Sequence, residues 1–75
     1  MKKIVVIGKP QCQACDTMKA WLDAKGIGYQ YINGMQSVVW MKRMQADGAR
    51  AFPQAYVDDV HVGGIDALQA ALATI

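Results

Sequence analysis

The sequence predicts a single α/β domain: one mixed four-stranded sheet with helices on its faces, in the order β-α-β-α-β-β-α. Three observations carry that expectation. The apolar run Ile4-Val5-Val6-Ile7 lacks clean alternation, as expected of a strand buried on both faces. Two segments with helical spacing follow, stopped by Gly26 and Gly48. Two short strand-like runs then flank Asp58-Asp59, ahead of a last helical segment. At 75 residues the chain reads as one domain over residues 1–75 with a modest core. A hydrophobic content of 53% supplies that core, and 19% charged residues argue against disorder.

In chain order, Lys3 to Gly8 is the first strand and Lys9-Pro10-Gln11 breaks it. From Gln13 to Lys25 the apolar positions Ala14, Met18, Trp21 and Leu22 recur at helical spacing, with Asp16 in the first turn. Gly28 to Ile32 alternates and reads as a second strand. Asn33-Gly34 has the look of a hairpin turn, but Gln36 to Asp47 is rich in helix formers and reads as a second helix. Val38, Met41 and Met44 are its apolar positions, and Met35, Met41 and Met44, at near-helical spacing, are expected as gap-filling core. Trp40 falls on the other side with Gln36, Arg43 and Asp47, where it either marks a protein partner or covers an edge of the core. After the loop through Pro53 come strands at Gln54 to Val57 and Val60 to Val62, then a helix from Ile65 to Ala73. The first β-α-β unit requires a right-handed parallel crossover, and the later pair an antiparallel hairpin. His61 is expected on the exposed side of the fourth strand, without a catalytic role.

The only two cysteines, Cys12 and Cys15, stand three residues apart at the predicted strand-to-helix turn. There the unpaired N–H groups and the positive end of the helix dipole favour a thiolate, which is the nucleophilic form. A residue three further on lies one turn along the same face, within reach of a disulfide. In a short α/β pattern this spacing reads as a thiol–disulfide redox site. Two cysteines are too few for a secreted disulfide scaffold. The N-terminal apolar run is too short for a signal peptide, and no run reaches membrane-spanning length, so a cytoplasmic protein without membrane contact is expected. Structural zinc takes about four ligands; two cysteines and His61 fall short, and no metal is expected. The net charge of +2 makes no case for nucleic acid and mildly favours an anionic partner.

Taken together, these residues resemble the glutaredoxins of the thioredoxin superfamily. The likeness covers essentially the whole chain and rests on Lys9 ahead of Cys12, the Cys12–Cys15 pair, Phe52-Pro53 before the third strand, and Gly63-Gly64-Ile65-Asp66 opening the last helix. It implies the thioredoxin-like fold in its small glutaredoxin form and a dithiol–disulfide oxidoreductase with glutathione as co-substrate. Cys12 would be the nucleophile and Cys15 the resolving thiol. Pro53 would be a cis-proline exposing the Phe52 backbone to a peptide-like substrate. Lys9 would approach one glutathione carboxylate, and the amides around Gly64, Ile65 and Asp66 the other. Gln13 and Ala14, between the cysteines, would line the glutathione site, and Lys19 would add positive potential near the thiols.

The chain departs from the family in having Gln13-Ala14 where many members have Pro-Tyr, and Asp66-Ala67 where an acidic pair is common. Non-aromatic residues between the cysteines are frequent in a related branch, the small hydrogen donors to ribonucleotide reductase, which are recycled by thioredoxin reductase. That branch is the alternative of the same chemistry. A non-catalytic thiol or iron–sulfur-binding module is the alternative of another class. The expected partners are glutathione and disulfide-containing proteins, with ribonucleotide reductase among the candidates, acting on a monomer.

Overall fold

A computed structural model describes residues 2–73. Its elements are β1 (Ile4–Gly8), α1 (Gln13–Ala24), β2 (Gln30–Asn33), a 3-10 turn (Gly34–Gln36), α2 (Val38–Ala46), β3 (Gln54–Val57), β4 (Val60–Gly63) and α3 (Ile65–Ala73). The sheet runs β2-β1-β3-β4, with β1 parallel to β2 and antiparallel to β3, and β4 antiparallel to β3. This is the expected β-α-β-α-β-β-α order on one mixed sheet.

Every residue of β1 is buried, because the strand lies inside the sheet and is covered on both faces. One face carries Ile4, Val6, Ala55 and Val57 against Met18 and Leu22 of α1 and Leu68 of α3. The other carries Val5, Ile7 and Tyr56 against Met44 of α2, edged by Trp40, Ile32 and Phe52. Alternate residues of β1 therefore belong to different cores, as the two-residue period of a strand requires.

Helix α1 presents Cys15, Met18 and Leu22 to the sheet, with Trp21 half-buried beside them. Ala14, expected on that face, is exposed; Cys15 holds the first buried position. Gly26 ends the helix with φ 68°, and its N–H bonds the Asp23 carbonyl at 3.0 Å. A left-handed residue at this place is commonly glycine because a Cβ would be strained.

The region after β1's parallel partner departs from expectation in detail. The second strand is displaced towards Asn33, since Gln30–Asn33 is the stretch in register with Val5–Gly8. Asn33 then starts no hairpin. Its side-chain Oδ1 accepts the Met35 N–H at 3.0 Å and winds the chain into the 3-10 turn. Ser37 follows in extended conformation, and its hydroxyl caps α2 by accepting the Trp40 N–H at 3.3 Å. Helix α2 therefore starts two residues later than the expected Gln36, which belongs to the 3-10 turn, while Ser37 is the cap. Met44 and Trp40 pack inward, while Met35 at 62% exposure lies outside the core it was expected to fill, and Val38 at 69% is exposed as well. Trp40 covers an edge of the core: its ring sits 5.0 Å from that of Tyr56, so it is not the free docking aromatic.

Tyr56 links this face to polar groups at its rim. Its hydroxyl donates to Asp47 Oδ2 at 2.8 Å, Arg43 Nε donates to the same oxygen at 2.9 Å, and the Arg43 guanidinium lies 4.9 Å over the Tyr56 ring. Arg43 also donates to the Asp59 carbonyl in the β3–β4 turn. These donors, Tyr56 first, hold the Asp47 carboxyl below its usual range. Burial, and then the hydrogen bond to Asp47, push the Tyr56 phenol from 10.0 up to about 12.

A raised phenol contributes stability that is complete below its unfolded pKa and is lost as pH rises through the folded one. The window is therefore about pH 10 to 12. Two units would amount to about 3 kcal/mol, but the Asp47 partner faces solvent and screening reduces this to about 1–2 kcal/mol. Urea unfolding at pH 9 and near pH 12 is expected to show that loss, with a shallower slope in Tyr56→Phe. Tyr29, raised by burial and by Asp23, titrates in the same direction, so the difference between the two proteins isolates Tyr56.

Candidate active site

Four segments meet at one end of the sheet. The chain leaves β1 at Gly8 for the Lys9–Cys12 loop. The pairing of Ile7 with Gln54 puts the Phe52-Pro53 loop at that same end, and β4 returns there to hand the chain to Gly64 and α3. Gly8 opposite Asn33 adds the 3-10 turn.

Gln11 has φ 55°, a left-handed backbone that turns the chain from Pro10 into α1. Cys12 is the N-cap, extended at φ −114° and ψ 105°, and Cys15 lies in the first turn. The two form a disulfide with Cα atoms 5.2 Å apart. The Cys15 N–H donates to Cys12 Sγ at 3.1 Å, the bond a capping oxygen usually accepts, and the Asp16 N–H donates to the Cys12 carbonyl at 3.1 Å. Sulfur takes the place of the capping oxygen, so the helix start aims an N–H at the atom that would carry negative charge in the dithiol form. Exposure separates the two thiols: Cys12 is 8% exposed and Cys15 0%. Gln13 and Ala14, between them, are exposed.

The Phe52–Pro53 peptide bond is cis, with Pro53 buried and Phe52 half-buried. Lys9 reaches towards this pair, its Nζ 5.9 Å from the Phe52 ring centroid. Gly64 and Ile65 are half-buried, Asp66 is exposed in the first turn of α3, and the Leu68 N–H to Gly64 carbonyl bond (2.9 Å) opens that helix. Lys19 is engaged by its neighbours. Its Nζ lies 4.1 Å over the Tyr31 ring and 3.5 Å from Asp16 Oδ1, so the positive potential expected from it is largely taken up locally. His61 is only partly exposed, contrary to expectation: Nε2 lies 2.7 Å from Gln54 Oε1 and the ring 5.2 Å from that of Tyr56. Both contacts are structural.

Sequence reasoning passed over Arg50, exposed three residues before Pro53 and without an ion pair among the described residues. A cation in a loop leading to the site was the available signal. Among the described residues, no group of three His, Cys, Asp or Glu side chains could hold a metal ion, and no helix is long and apolar enough to cross a membrane.

A disulfide that closes over one helical turn, with one cysteine slightly exposed and the other fully buried, is suited to forming and breaking. Carried on this sheet, it defines a thiol–disulfide oxidoreductase of the thioredoxin-like class. Comparison with known proteins narrows the class. The family model for Glutaredoxin matches residues 4–62, and the chain belongs to the glutaredoxin family. It is 35% identical over 68 residues to glutaredoxin 1 of Rickettsia conorii, a match covering 87% of this chain and 67% of that one. The buckwheat glutaredoxin–glutathione complex superposes with a TM-score of 0.79 at 26% identity, over 97% of this chain and 70% of that one. The Escherichia coli NrdH-redoxin, described as a glutaredoxin-like protein with a thioredoxin-like activity profile, superposes with a TM-score of 0.81 at 18% identity, over 93% and 92%. At that identity the last likeness concerns the fold alone.

Proposed function

We propose that the protein reduces disulfides with Cys12 as nucleophile and Cys15 as resolving thiol, and that glutathione recycles it. The observation that carries the assignment of roles is the unequal exposure of one disulfide, 8% against 0%. A partner sulfur can approach Cys12, whereas Cys15 can meet only Cys12.

In the dithiol form the Cys12 thiolate attacks one sulfur of a substrate disulfide. That S–S bond breaks, the departing sulfur leaves as a thiolate and takes up a proton, and Cys12 is held in a mixed disulfide. Cys15, losing its proton, then attacks the Cys12 sulfur. The second substrate thiol is released and the Cys12–Cys15 bond forms. Two glutathione thiols reverse this by the same exchange and end as glutathione disulfide. The Cys15 N–H at Cys12 Sγ supports the thiolate whenever it is the leaving or attacking group.

Glutathione suits the surroundings, and a family relative is seen in complex with it. Lys9 and the α3 N-terminus at Gly64, Ile65 and Asp66 lie at the same end as the disulfide and provide two places for its two carboxylates. The Phe52 backbone ahead of Pro53 is assigned to its peptide portion, and Gln13 and Ala14 to the entrance.

The test is recycling. The oxidised protein is offered reduced glutathione, or thioredoxin reductase with NADPH, and the return of two thiols is followed. Reduction by glutathione is expected, with Lys9→Gln weakening it by about three- to tenfold through loss of one charge-assisted contact. Reduction by the reductase alone would overturn the glutathione assignment and place the chain with the donors to ribonucleotide reductase.

A further inference from the structure

Beyond the disulfide, the same end of the molecule carries apolar surface that neither core uses. Met35, Val38 and Val39 are 62%, 69% and 76% exposed, three large hydrophobics within five residues. Met35, Val38 and Met41 line a groove of about 270 Å³ with Lys42 and Gln45. Its inner end is Gly34, which is buried against Phe52 and Ile7. Gly34, packed on Phe52, thus ties the wall of the groove to the cis-proline loop. No acid lines it. Lys42 makes no ion pair among the described residues, and Lys9 stands at the Phe52 end.

Glutathione has no apolar side chain to place there. A groove with apolar walls and a free cation complements an extended peptide that carries aliphatic side chains and a carboxylate. Resting on the oxidoreductase reading above, we infer that the Met35–Val38–Met41 groove is the docking surface for the chain that flanks the reactive cysteine of a protein disulfide. Phe52 presents the disulfide-bearing residue to Cys12, and the flank lies along the groove with its carboxylate at Lys42. The groove selects the substrate and takes no part in the chemistry.

The pre-reduced protein is mixed, in single turnover, with two disulfide peptides of equal length and with bis(2-hydroxyethyl) disulfide. One peptide flanks its cysteines with leucine and glutamate, the other with serine and lysine. Single turnover avoids dependence on the recycling partner. The leucine–glutamate peptide is expected to react faster. Val38→Asp should lower its rate constant about tenfold and leave the small disulfide unchanged, and Lys42→Glu should shift the preference towards the lysine peptide. Both side chains are exposed, so folding is not at stake.

Equal rates for the two peptides in the wild type, or no effect of Val38→Asp, would overturn the inference. So would a dimer in sedimentation that Val38→Asp dissociates, since a second copy would then occupy the groove. Failure to reduce even the small disulfide would sink the oxidoreductase reading itself, a distinct result.

Discussion

Cys12→Ser is expected to abolish disulfide exchange of every kind, by at least about a thousandfold, because Cys15, the only other cysteine, is fully buried. Cys15→Ser should behave differently. Its Cys12 still attacks a mixed glutathione disulfide, and a second glutathione completes that turnover. Protein disulfides, which need the intramolecular second attack, should stall as a trapped covalent complex. Release of glutathione from a glutathionylated peptide and reduction of a protein disulfide, measured side by side, separate the two activities. Full retention of both in Cys15→Ser would refute the roles assigned here.

Gly34→Ala is expected to destabilise the protein by about 2–3 kcal/mol, a fall in Tm of about 10–20 °C for a domain of this size. A Cβ there would stand 2.7 Å from Phe52 Cε1 and 2.8 Å from Ile7 Cγ2. Ile7 is fully buried and has nowhere to go. Phe52 would have to move, and with it the neighbour of the cis-proline, so exchange should slow as well. The contrast is Gly8→Ala. There the obstacle is the hydroxyl end of the Tyr31 side chain, which is exposed and can swing aside, so a cost under about 1 kcal/mol is expected. Thermal unfolding of the two variants in parallel distinguishes them, and equal losses would mean that the Gly34 contact is not what fixes Phe52.

The sequence was informative where a local rule coincided with the tertiary environment. An unbroken β-branched run marked β1, the two cysteines at a strand-to-helix turn marked the site, and Asp58-Asp59 between short strands marked the hairpin, where both residues adopt positive φ (51° and 68°). It misled where one side chain redirected the backbone. Asn33 and Ser37 each bond an N–H two or three residues on, and those two bonds place Gln36 in a 3-10 turn and start the second helix at Val38 instead of Gln36. Periodicity cannot register such a turn, so Met35, expected as core filler, is exposed, whereas Trp40, open to either reading, stands one helical turn from Met44 and covers the core edge. Tyr31 beneath Lys19 and Gln54 beside His61 lie on other elements of the fold, and such contacts leave no trace in local spacing; the Lys19–Asp16 pair, three residues apart on α1, is the part that spacing does show.

The sharing of β1 between two cores has a consequence for how the molecule comes apart. Val6 is locked into one face and Val5 and Ile7 into the other, while the same backbone is paired on both edges. Either helical layer can loosen and leave the strand held by the opposite one. Amide hydrogens of β1 should therefore exchange only when the whole domain opens, and those of α2 and the 3-10 turn well before. The redox loop begins one residue beyond that strand, so the reacting sulfurs hang from the slowest-opening part of the chain while the surface beyond Gly34 is free to breathe.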